Sequence, residues 1–276
     1  MTIISGNLAK MAAELTDPVS YQLPVGVVMV PVNPHIGSCL TLRFDGRINC
    51  VACGRLIKKS FQQGYCFPCV RKLAACDICI VQPEKCHYAA GTCREPSWGE
   101  KHCLRDHYVY LANTSGVKVG ITRLSQVPTR WIDQGAVQAL PLYRVKERLV
   151  SGLLEVRLKK ELSDRTDWRR LLRGDPSRVD LPALAVMLHE GLAAEIAGLQ
   201  ARFGADAVVF MNDAVPMDIV YPVSRYPEKI RAYNLDKTPE ISDVLLGIKG
   251  QYLIFADGVL NVRKYGGYYV ELTVDG

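Results

Sequence analysis

Between residues 50 and 69 the chain reads Cys50-Val-Ala-Cys53, twelve intervening residues, then Cys66-Phe-Pro-Cys69. Each C-x2-C pair sets two thiolates on one side of a tight turn, and two such turns complete a tetrahedron about one ion. A segment built this way draws its stability from metal in place of a hydrophobic core. Gly54 after the first pair and Gly64-Tyr65 before the second supply the permissive backbone that such turns need. With four thiolates around the ion no position is left for water, so a Zn2+ here holds the fold and performs no hydrolysis.

A second set of donors follows: Cys76-Asp-Ile-Cys79, Cys86-His87, Cys93, His102-Cys103 and His107. Eight donors suffice for two more ions, yet histidines also serve as surface or hydrogen-bonding residues, so one further zinc is expected. The preferred ligands are Cys76, Cys79, Cys93 and Cys103, with Cys86 and His87 next. Cys39 lies outside every spacing pattern and reads as a free buried thiol.

With 276 residues, 49% hydrophobic and 22% charged, the chain can bury a large core and is not disordered. Its longest nearly unbroken apolar run, Val25 to Val32, is interrupted by Gly26 and Pro31 and falls far short of the ~20 residues that cross a bilayer. The opening stretch MTIISGNLAKMAAELTDPV has no basic segment followed by an apolar one, so neither export nor a membrane is expected. A cytoplasmic location follows as the expectation, and there clustered cysteines favour metal over disulfides.

Charge is uneven. Residues 39–75 carry seven basic side chains and one acidic, residues 141–178 eleven and six, and the last 98 residues eight and thirteen. The net +6 therefore conceals two basic blocks suited to a polyanion. Within the paired-cysteine ribbon Arg55, Lys58 and Lys59, with Arg71 and Lys72 just beyond, face no acid between Val51 and Ala75, a composition for phosphate contacts.

Four stretches separate by composition. Residues 1–49 form an N-terminal β segment with strand-like runs at Val25–Val32 and Leu40–Phe44, and residues 50–107 a zinc-binding module. Residues 108–204 alternate strands (108–112, 117–121, 139–145) with helices near 128–134 and 147–162, plus a further helix marked by Leu181, Ala185, Leu188, Leu192, Ile196 and Leu199. Residues 205–276 read as a C-terminal β region able to pair with the N-terminal strands, with a hairpin about Asp257-Gly258. The fold class is α+β. Neither a P-loop nor a dinucleotide-binding glycine motif occurs, and His189 has no companion nucleophile pattern, so nucleotide hydrolysis by a P-loop and serine or cysteine hydrolysis are unsupported.

Tyr108-Val-Tyr110 and Lys118-Val-Gly120 resemble the paired motifs of the GIY-YIG nuclease superfamily, in the variant whose second motif begins with Lys. This likeness spans about residues 107–173 and implies a GIY-YIG-like α/β domain there. The whole chain resembles the bacterial family called domain of unknown function 2797, in its ribbon, its Tyr-Val-Tyr strand and its Gly-Ile-Lys-Gly-Gln-Tyr hairpin. Carried over from the nuclease motifs, Tyr110 matches the first tyrosine, Lys118 stands where the second would be, Arg130 matches an arginine facing the scissile phosphate, and Glu155 matches the carboxylate holding a divalent ion. Asp167-Trp168 occupies the neighbourhood of a family asparagine. Hydrolysing a phosphodiester needs a cation on the non-bridging oxygens, a base for water and an electrophile at the leaving oxygen. Arg130 suits the first requirement, Tyr110 or Lys118 the second, and Mg2+ or Mn2+ at Glu155 the third.

Each of these residues also has a plain structural role: Tyr110 a packed strand ring, Arg130 a helix-surface cation, Glu155 an i,i+4 partner of Lys159. Trp131 and Trp168, beside Arg130 and Arg169-Arg170, have the composition for base stacking, and Lys249 sits between Gly247 and Gly250 where a ligand backbone would fit. The leading expectation is a cytoplasmic zinc protein that binds RNA or DNA through the basic ribbon and central helices, and its sharper version is a metal-dependent phosphodiesterase using Tyr110, Lys118, Arg130 and Glu155. The competing class is a non-catalytic adaptor whose zinc sites stiffen a protein-binding surface.

Overall fold

The structure, a computed structural model, describes residues 2–274. Strand β1 (Thr2–Asn7) leads into a small antiparallel meander of β2 (Ala12–Glu14), β3 (Ser20–Val25) and β4 (Val28–Pro31). The apolar run from Val25 to Val32 is thus a hairpin and not one strand. Gly26, at φ +62, turns the chain so that Val25 pairs with Val28.

Strand β5 (Cys39–Asn49) is followed by the short β6 (Leu56–Ile57), α1 (Phe67–Lys72), several 3-10 turns and α2 (Pro96–His102). The next segment runs β7 (His107–Asn113), β8 (Val117–Arg123), α3 (Thr129–Asp133), β9 (Gln138–Val145), α4 (Arg148–Leu158), α5 (Trp168–Leu171), α6 (Leu181–Gly191), α7 (Ala193–Phe203), β10 (Val208–Phe210) and β11 (Met217–Asp218). It closes with β12 (Glu240–Lys249), β13 (Tyr252–Phe255), β14 (Val259–Asn261) and β15 (Tyr268–Val274).

Seven strands form an antiparallel sheet in the order β1-β15-β5-β12-β13-β14, with β6 folded back onto β5. The N- and C-terminal strands therefore share one sheet, through β1 against β15. A second sheet runs β10-β9-β7-β8, with β11 also on β9. Residues 205–276 do not act as one β region: Val208–Phe210 pair with Val145–Tyr143 and complete the central sheet, and the large sheet resumes only at β12.

Alternation along β7 explains how the two sheets share the molecule. Val109 and Leu111 join α4, α6 and α7 in one core, while Tyr110 and Ala112 face the opposite way into the core of the large sheet. Two helices differ from their periodicity. α4 ends at Leu158 and not Leu162, because the chain turns to let Ser163 accept the Val119 N–H at 2.9 Å. The apolar series from Leu181 to Leu199 spans two helices bent by 69° about Leu192, just after Gly191, a poor helix former. Among the described residues no single helix is long and apolar enough to cross a membrane.

Four side chains singled out by sequence have structural surroundings. Lys249 is fully buried and its ammonium donates to the Leu171 and Gly174 carbonyls and to Asp175 Oδ1 at 2.7 Å, tying the α5 loop to the large sheet. Trp131 is buried, and so offers no base a stacking surface, while the half-buried Trp168 stacks on Tyr252. Cys39 is partly exposed, 3.6 Å from Ser242 Oγ, and not buried.

Candidate functional site

The first four cysteines meet. Cys50 closes β5, the chain doubles back through β6, and Cys66 and Cys69 come from the start of α1, so that the four sulfurs lie within 4.8 Å of one another. Burial pushes the Cys50 thiol up, but the N–H groups of Cys53, Cys66 and Ala52 directed at it outweigh burial and bring it down to about 6. Cys69, whose S–H donates toward the Cys66 sulfur, is pushed up to about 12. Sulfurs this close that favour opposite protonation states are competing anions, and a cation removes the competition. The donor set fits tetrahedral Zn2+ with thiolate ligands.

The second expected quartet is not brought together. Cys76 ends one 3-10 turn and Cys79 sits in the next, and Asp77 between them is extended (φ −68, ψ 155), so the pair forms no knuckle. Cys76 is buried away from the cavity that the other three line, and burial, partly offset by Arg94, raises its thiol. Cys79, Cys86, Cys93 and Cys103 instead line one small cavity together with Asp77 and His87. Asp77, Cys79 and His87 have ligand atoms within 4.8 Å of one another. His102 and His107 lie outside this cavity: His102 stacks on Trp98, and His107 Nδ1 faces the Arg105 carbonyl at 2.6 Å.

A larger cavity of about 420 Å³ opens at the edge strand β8. Lys118, Arg130 and Glu155 all line it, from β8, α3 and α4. So do Arg123, Gln134, Arg148, Asp164 and Arg263, and its far wall is Ile80, Val81 and Pro83 of the cysteine-rich module. Arg148, Gly152 and Glu155, at i, i+4 and i+7, share one face of α4. That spacing was a sequence signal for Arg148. Nothing local marked Arg263, which arrives from the large sheet.

Among the described residues none of Lys118, Arg123, Arg130, Arg148 or Arg263 has a carboxylate within 4.0 Å. The Arg148 Nε–H is buried without a partner, although its Nη2 donates to the Ile80 carbonyl at 2.6 Å. Burial, with Arg130 second, draws the Lys118 ammonium down to about 8. The two carboxylates share Lys159, whose Nζ is 3.3 Å from Glu155 and 3.0 Å from Asp164. Burial raises the Glu155 carboxyl above its ordinary range. The result is a pocket with a surplus of uncompensated, partly desolvated positive charge, which favours an anion.

Tyr110 is the catalytic candidate that does not line this pocket. It is completely buried, crosses over its strand partner Gly120, and donates its hydroxyl to Gln134 Oε1 at 3.1 Å. Its complete burial sets it behind the pocket, where its hydroxyl bears on Gln134 and on Arg130, in place of the water-activating position expected of it. A Cβ on residue 120 would fall 2.6 Å from that hydroxyl, which explains the glycine. Gly120→Ala is expected to displace the ring and cost ~1–3 kcal/mol of stability, whereas Tyr110→Phe should cost only ~0.5–1.5 kcal/mol. Urea unfolding of the two variants measures the difference, and equal small losses would show that the ring has room to move.

A family model described as protein of unknown function (DUF2797) matches residues 37–270. The chain belongs to that family. The DUF2797 span contains the ten cysteines and every residue named around the cationic pocket, and begins after β4. No curated protein and no solved structure matches the chain.

Proposed function

We propose that this DUF2797 protein binds nucleic acid and hydrolyses a phosphodiester seated in the cationic pocket. The observation that carries this reading is the gathering of five unpaired cations around two carboxylates in one cavity. Arg130, Arg263 and Arg148 bind non-bridging phosphate oxygens. Lys118, with a pKa near the working range, takes a proton from the attacking water. Glu155, with Asp164 nearby, offers hard oxygen ligands to Mg2+ or Mn2+; in so cationic a pocket these ligands hold the ion together with the substrate phosphate. When bound, that ion supplies charge stabilisation at the phosphoryl oxygens. The likeness of Tyr108–Tyr110 and Lys118–Gly120 to GIY-YIG nuclease motifs supports the reading.

A polymer fits better than a small phosphate ester. On the zinc module Phe67 is exposed with Arg71 5.9 Å from its ring centre, and Lys59 lies 5.5 Å from that of Phe61, which gives bases an aromatic surface beside backbone-binding cations.

The decisive experiment presents purified protein with end-labelled tRNA, single strands and branched DNA, with and without Mn2+, across salt and pH. Binding should weaken steeply with salt, and nicking should rise with pH up to about 8, as Lys118 loses its proton, and then level off. Lys118→Arg keeps the charge but cannot serve as the base, so it should bind normally and lose about 10²–10⁴-fold in cleavage. A flat pH profile, or full activity in Lys118→Arg, removes Lys118 as base; salt-independent binding removes the phosphate reading. The adaptor reading has its own support in the exposed Val51, Leu56 and Phe67 of the module, and it alone predicts a protein partner with little salt dependence.

A further inference from the structure

We infer that Cys79, Cys86, Cys93 and Cys103 hold a second structural zinc ion as a four-thiolate centre, and that this ion fixes the wall of the cationic pocket. The four cysteines line a cavity of about 20 Å³, room for little more than a single atom or water. Their spacing, with six, six and nine residues between successive cysteines, contains no knuckle, so convergence is a product of the fold. Helix α2 closes the site from one side, where a Cβ on Gly99 would sit 3.5 Å from Cys93 Sγ, and Cys103 is 7% exposed.

The competing ligands at this cavity are already engaged. Asp77 pairs with Arg94 Nε at 2.6 Å, and Arg94 donates onward to the Val70 carbonyl at 2.8 Å. His87 Nδ1 meets Thr92 Oγ1 at 2.8 Å, and its Nε2 faces Asp77 at 3.5 Å. Of the close trio of Asp77, Cys79 and His87, Asp77 and His87 therefore form a hydrogen-bonded brace that supports the centre without supplying ligands, while Cys79 is one of the four thiolates.

The position of this centre gives it leverage. Cys79 and Cys86 bracket the segment that contributes Ile80, Val81 and Pro83 to the pocket. The Ile80 carbonyl accepts from Arg148 Nη2 at 2.6 Å, and the Cys103 carbonyl accepts the Arg148 N–H at 2.8 Å. Gly152 completes the fit, since a Cβ there would fall 2.6 Å from the Glu84 nitrogen. Metal at the thiols thus anchors both ends of the pocket wall and the start of α4.

Elemental analysis of the desalted full chain should find about two zinc ions, and the zinc X-ray absorption spectrum an all-sulfur first shell at about 2.3 Å. Cys93→Ser should lower the count to one and speed amide exchange over residues 80–85 by at least about tenfold, leaving β12–β15 unchanged. His87→Ala and Asp77→Asn should keep both ions. One zinc in the wild type, or a nitrogen or oxygen shell at about 2.0–2.1 Å that disappears in His87→Ala, would overturn the four-thiolate assignment. Unchanged exchange over residues 80–85 in a one-zinc variant would overturn its role in the wall. If Cys93→Ser does not fold, the wild-type spectrum and His87→Ala decide the ligands, and a chelator titration with exchange readout decides the wall.

Discussion

Cys66→Ser is expected to release the ion from the first cluster and to unfold the ribbon around it, the largest stability change available from a single exchange. In zinc-finger peptides a structural zinc contributes on the order of 10 kcal/mol or more, comparable to the whole stability of a typical domain. Residues 50–73 have little else: among the described residues only Cys50 and Cys66 are buried hydrophobic side chains in this stretch. Cys66 also donates its backbone N–H to Cys50 Sγ at 3.2 Å and precedes α1, so both knuckles lose their reference point together. Because β5 runs directly into Cys50, the damage should spread into the end of the large sheet and lower the melting temperature. Calorimetry and zinc content measure it. A Cys66→Ser protein that keeps its full zinc complement and melting temperature would show that the four sulfurs do not hold metal.

Glu155→Gln should reduce Mg2+- or Mn2+-dependent nicking about a thousandfold, ~4 kcal/mol of transition-state stabilisation, while leaving nucleic-acid binding intact or slightly tighter. The shape is kept and one negative charge leaves a cationic pocket. Stability should not fall at neutral pH. Burial raises the Glu155 carboxyl, so its ionised form is disfavoured in the fold, and that penalty is present once the pH rises above its folded value. An uncharged amide carries no such penalty. Single-turnover cleavage, filter binding and urea unfolding separate these effects, and nicking at the wild-type rate would take Glu155 out of the mechanism.

The two departures from sequence reasoning at the sites share a cause. Cys76-x2-Cys79 has the spacing of a knuckle, but spacing states only what the backbone is able to do. Extended Asp77, held by Arg94, separates the two thiols, so that Cys79 lines the small cavity and buried Cys76 does not. For Tyr110 the sequence leaves a water-activating hydroxyl and a packed strand ring both open, and the structure shows the packed ring, because a period-2 pattern reports alternation and not which face a second sheet will cover.

Local chemistry was enough to read the first cysteine quartet and the hairpin of β7 and β8, since each depends on residues within one turn or one strand pair. Long-range packing alone put Arg263 beside Arg130, closed the second thiol cavity, and joined β10 to β9. These contacts bridge tens to well over a hundred residues, and their partners are selected by how whole sheets bury their apolar faces, a choice that no short stretch of sequence encodes.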